Sequence, residues 1–66
     1  MKIKDFTIPE IQYLRENCNF TLLEHEVFEL RLKEHTLDMI SEELHISRDW
    51  AGKLSQRVNR KIIRVI

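Results

Sequence analysis

Apolar residues recur every three or four positions along most of this chain: Ile11 and Leu14; Leu23, Val27 and Leu30; Ile40 and Leu44; then Ala51, Leu54, Val58, Ile62 and Val65. That is the 3.6-residue period of a helix with one inward face, not the two-residue alternation of a strand. With one Gly and one Pro in 66 residues, little interrupts it. The pattern predicts an all-α fold, a compact bundle of about four helices. Thr7 opens the first: Glu10 three residues later completes a capping box, Pro9 lies in the first turn, and Phe6 with Ile11 suits a hydrophobic staple. This helix runs to about Glu16 or Asn17. Thr21 and Glu24 repeat the capping box for a second helix to about Lys33, with Leu23, Val27 and Leu30 on its inner side. Thr36 caps a third, ending near Leu44, and Ser47 caps a fourth that meets no stop signal before Ile66. The C-terminal half of the fourth is expected to pack on Ile8, Ile11 and Leu14.

The stretch T-L-D-M-I-S-E-E-L-H-I-S-R-D-W-A-G-K-L, Thr36 to Leu54, has the spacing of a helix-turn-helix. Counting Leu37 as the first position, Ile40, Leu44, Ile46, Ala51 and Leu54 fill the places that two short crossing helices bury. The small Ser41 stands where the helices approach most closely, and the Ser47 hydroxyl is placed to cap the second helix. His45 occupies a turn position that asks for positive φ and usually holds Gly; His is among the residues that tolerate it at modest cost.

A chain of this length makes one domain, and at this size only about 60% of the unfolded surface is buried, so a partner subunit would help stability. The single Cys18 cannot form an internal disulfide, and it reads as a small core residue, with nothing basic close to it in sequence. No Cys/His cluster suggests a metal, and no cofactor motif is present. His25, His35 and His45 read as surface or turn residues. No apolar run approaches the roughly 18 residues of a membrane span, and the start M-K-I-K-D-F-T has no signal-peptide core. A cytoplasmic protein is the expectation. No pair of groups reads as a general acid and base in a pocket, so an enzyme is not expected.

Formal net charge is zero, but the charges are segregated. From Phe20 to Ser47 seven acids (Glu24, Glu26, Glu29, Glu34, Asp38, Glu42, Glu43) face two bases, Arg31 and Lys33; from Arg48 to Ile66 six bases (Arg48, Lys53, Arg57, Arg60, Lys61, Arg64) face one acid, Asp49. The positive end begins where the second helix of the motif begins, which suits double-stranded DNA as a partner.

Taken together, F-T-L-L-E-H-E-V-F-E-L-R-L and T-L-D-M-I-S-E-E-L-H-I-S-R-D resemble the fourth region of bacterial sigma factors, whose pattern response-regulator output domains largely share. The resemblance covers Phe20 to about Lys61 and divides the single domain 1–66 into an N-terminal helix (1–19), a sigma region four-like unit (20–61) and an apolar helix end (62–66). It implies that Arg48, Asp49 and Lys53 lie where the family's promoter-reading Arg, Glu and Gln lie. Trp50, Ala51 and Gly52 depart from the family pattern, with Gly52 costing about 1 kcal/mol relative to Ala inside a helix. These residues hold no counterpart of the sigma region that grips the polymerase clamp, so a complete sigma factor is not expected.

On this basis the helix from Ser47 enters the major groove N-terminus first. Arg48 and Lys53 donate to guanine O6 and N7, Asp49 accepts from cytosine N4, and Trp50 either touches a thymine methyl or sugar-phosphate backbone or packs on the neighbouring helix. Arg57, Arg60, Lys61 and Arg64, with the hydroxyls of Thr36 and Ser47, suit phosphates, a solvated charged face being the alternative. Ile62, Ile63, Val65 and Ile66 form an apolar end that either completes the core or makes a subunit or partner contact, a homodimer among them. Two functions follow: a sequence-specific DNA-binding transcriptional regulator, or a sigma-like interaction module that binds RNA polymerase or another regulator without reading DNA.

Overall fold

In the computed structural model, described over residues 6–66, four helices follow one another: α1 (Ile8–Asn17), α2 (Leu22–Leu32), α3 (Leu37–Leu44) and α4 (Arg48–Val65). No strand occurs among the described residues. Of the N-terminal segment read above as lacking a signal-peptide core, residues 1–5 lie outside them.

Each helix starts where its cap dictates. The Thr7 and Thr21 side chains accept from the N–H groups of Glu10 and Glu24, and each glutamate reaches back to its threonine's N–H at 2.8 Å, so both capping boxes are closed. Thr36 and Ser47 accept from the N–H groups of Met39 and Trp50 at 3.2 and 3.1 Å. These contacts satisfy backbone donors that a helix leaves unpaired at its N-terminus.

The helix ends are equally specific. After α3 the chain passes through His45 at φ 56°, its N–H bonded to the Glu42 carbonyl, while the Ile46 N–H reaches the Ser41 carbonyl at 3.0 Å. This pair of bonds closes the helix and turns Ile46 back against the core. The same arrangement ends α2, where Glu34 is left-handed at φ 62° and the His35 N–H bonds to the Leu30 carbonyl. Nothing in the Glu34 side chain foretells this, since a left-handed conformation normally selects Gly or Asn.

The eighteen-residue α4, about 27 Å long at 1.5 Å per residue, runs nearly the 30 Å length of the molecule. Each of the other helices packs on it. Ala51, Leu54, Val58 and Ile62 form its inward stripe, meeting Leu14 and Cys18 of the α1 segment, Val27, Phe28 and Leu30 of α2 and Ile40 of α3. Phe20 covers this core beside Phe28, ring centroids 5.1 Å apart. Between α3 and α4, Ser41 folds its hydroxyl onto the Asp38 carbonyl at 2.8 Å and so leaves that polar group satisfied.

Three expectations are corrected. Ile62 is fully buried and is core, not interface; it continues the Ala51–Val58 stripe one turn further. Ile8 is 81% exposed and takes no part in the packing of α1 on α4: the inward face is set by Leu14 and Cys18, about 100° around the helix from Ile8. Leu23 is 38% exposed because Glu24, not Leu23, turns inward at the start of α2. Val65 is half-buried against the core, whereas Ile63 and Ile66 stand in solvent.

Neighbouring isoleucines should therefore behave oppositely in chemical denaturation. Ile62→Ala is expected to cost about 2–5 kcal/mol and Ile63→Ala no more than about 0.5 kcal/mol. Equal costs would overturn this placement.

Candidate nucleic-acid interface

The outer face of the first turns of α4 combines with the start of α3 to form a shallow hollow of about 360 Å³, lined by Leu37, Arg48, Asp49, Gly52, Lys53 and Gln56. Positions 49, 52, 53 and 56 share one face because they are spaced three or four apart, and the two capped N-termini set the rim. Arg48, Asp49 and Lys53, expected from sequence to act together, are brought together here. Gln56 is the residue that reading missed: one turn beyond Gly52 and Lys53, its amide is of the kind that pairs bidentately with adenine. The signal was available in the helical period.

Arg48 enters the hollow already engaged. Its Nε lies 2.7 Å from Asp38 Oδ1, joining the first turns of α3 and α4, with both side chains about two-thirds exposed or more. A solvated pair of this kind contributes about 0–1 kcal/mol, so a stronger acceptor can replace Asp38. Thr36 and Ser47 use their hydroxyl oxygens as cap acceptors and keep a proton to donate.

Trp50 does not line the hollow. It is half-buried against the core, and the Arg57 guanidinium lies over its ring, 5.1 Å from the centroid. The sequence left open contact with DNA or packing on the neighbouring helix; the structure has Trp50 packed against the core. Arg57 in turn joins Arg60, Arg64 and Lys61 along a second hollow that also includes Glu24.

Lys61 differs from its neighbours. Its ammonium donates to Glu24 Oε1 at 2.5 Å and to the Asn19 carbonyl at 2.6 Å, and the Glu24 side chain is only 3% exposed. Burial alone would raise the Glu24 carboxyl, but hydrogen bonds from Lys61 and Thr21 outweigh it and hold the group below its ordinary value. Lys61 thus fastens α4 to the start of α2. Arg15 likewise grips Glu29 through two 2.9 Å bonds, tying α1 to α2 and, by those bonds first, lowering the Glu29 carboxyl.

The remaining chemistry is structural. Cys18 is buried with its sulfur 3.6 Å from the Lys61 carbonyl, and burial pushes its thiol up against a smaller opposing effect of Lys61. His25 faces Glu29 at 3.9 Å, and His35 and His45 occupy the two turns. Among the described residues no group of three or more His, Cys, Asp or Glu could hold a metal ion, and no helix is long and apolar enough to cross a membrane.

No protein-family model, curated protein or solved structure matches this chain.

The Glu24–Lys61 pair makes stability depend on pH in a defined direction. A carboxylate with a depressed folded-state pKa contributes stability present above its unfolded value, near 4.3, and lost as pH falls through the lower folded value. Glu24→Gln keeps the capping geometry but removes the charge, and is expected to cost about 1–3 kcal/mol at pH 7. In thermal melts that deficit should shrink as pH falls below about 4, where Glu24 of the unfolded chain takes up its proton before that of the folded one; a deficit independent of pH would rule out the ion pair as its cause.

Proposed function

We propose that this chain is a sequence-specific DNA-binding domain of a transcriptional regulator, acting in the cytoplasm, with α3 and α4 as a helix-turn-helix and α4 entering the major groove. The observation that carries the reading is the hollow of Arg48, Asp49, Lys53 and Gln56, which sets hydrogen-bond donors and an acceptor side by side on the outer face of one capped helix. Base edges in the major groove present the complementary pattern. Arg57, Arg60 and Arg64 extend the same helix with cations for phosphates; Lys61, held by Glu24, is left out of that set.

Selection from a random duplex library tests this directly. An enriched motif is expected, and Arg48→Ala should weaken binding to it about 5- to 150-fold while relaxing preference at one base position. Three arginine–phosphate contacts predict a slope of log K against log salt near −3. A flat response would remove the phosphate contacts from the proposal.

Because Asp38 competes with DNA for Arg48, Asp38→Asn is expected to raise duplex affinity by up to about fivefold, the worth of an exposed pair. Reduced affinity in fluorescence anisotropy would instead make the pair a positioning contact.

A second reading is favoured by a separate observation: a largely apolar hollow of about 310 Å³ between α1 and the end of α4, lined by residues including Phe6, Tyr13, Val65 and Ile66. It supports a sigma-like module docking on RNA polymerase, another regulator or a second copy. Retained biological activity in an Arg48→Ala, Lys53→Ala double variant would move the function there.

A further inference from the structure

Gly52 opens the second turn of α4, where a glycine costs stability and where the fold gives it no purpose. Its backbone is not in a left-handed conformation, and a Cβ built on it meets nothing within 4 Å. Alanine would be accommodated there and would favour the helix. What the missing side chain does change is the surface: it leaves a dent of bare backbone in the hollow, whose lining is completed by the apolar Leu37 and by Arg48, Asp49, Lys53 and Gln56.

We propose that Gly52 is a specificity-determining residue, and that the dent it leaves beside Leu37 receives the C5-methyl group of a thymine. This rests on the DNA-reading function argued above. The choice of ligand follows from the surroundings. The floor is a bare Cα and the wall is leucine, so the group seated there is small and apolar. The rim carries two cations, the Asp49 carboxylate and an amide, so that group belongs to a molecule that presents hydrogen-bond acceptors and donors beside it. Among the base edges of the major groove only thymine carries a methyl group, with its O4 acceptor alongside for Lys53 or Gln56. A Cβ at position 52 would fill the space the methyl needs and hold the helix away from the base.

The test uses the full chain and duplexes carrying the motif enriched by selection. Deoxyuridine, which lacks only the methyl group, replaces each thymine in turn. One substitution is expected to weaken wild-type binding about fourfold, the value of one buried methyl, and the others not at all. Gly52→Ala is expected to raise the melting temperature yet weaken binding about fivefold or more, and to lose the distinction between thymine and deoxyuridine at that position. Two results would overturn the proposal while leaving the DNA reader intact: wild-type binding indifferent to every deoxyuridine, or a Gly52→Ala protein that still distinguishes the two bases. Absence of any enriched motif would overturn the DNA-reading function itself, and the proposal with it.

Discussion

The fold depends on one helix having a single, continuous apolar side. Ala51, Leu54, Val58 and Ile62 of α4 are buried at intervals of three and four residues, and the remaining helices close over that stripe. In so small a chain no second core can form, so these few side chains bear most of the packing. The geometry also divides α4 lengthwise. Its inner face is committed to the bundle, which leaves the opposite face, with Asp49, Lys53, Gln56 and Arg60, free to meet a partner.

Electrostatics sorts the cations of α4 by the acids that lie within reach. The acidic stretch preceding α4 is not only a solubilising surface: Glu24 captures Lys61 near the C-terminal end of the helix, and Asp38 holds Arg48 at its start. One pair has its carboxylate nearly sealed from solvent and braces two helices; the other is open and readily exchanged. A formal net charge of zero therefore hides a helix on which some cations are fixed and others are available.

Much of this was legible in the sequence because the determining interactions are local. A threonine or serine three residues ahead of a backbone N–H is sufficient to place a helix start, and all four starts at Thr7, Thr21, Thr36 and Ser47 are capped as expected. The left-handed turn at His45 was legible for the same reason. What escaped depends on contacts distant in sequence. Periodicity alone places Ile62 near both the stripe and the apolar tail; only the arrival of α1 and α2 assigns it to the core. Lys61 looks like any other surface cation until Glu24, 37 residues earlier, turns inward to meet it. Leu23 and Ile8 fit an apolar pattern yet lie off the inward faces that Glu24 and Leu14 define. In the candidate site, the grouping of Arg48, Asp49 and Lys53 was legible; the part played by Gln56 was not, and a packed Trp50 was one of two placements left open.

The lengthwise division of α4 has a consequence for how such a domain can vary. Substitutions on the outer face leave the buried stripe untouched, so the presented surface is open to extensive rewriting while the architecture persists. Loss or gain of a single residue within the helix is different in kind. It rotates everything downstream by about 100°, carrying Val58 and Ile62 off the core and charged neighbours into it. Diversity in a protein built this way should accumulate by replacement, while the length of the helix stays fixed.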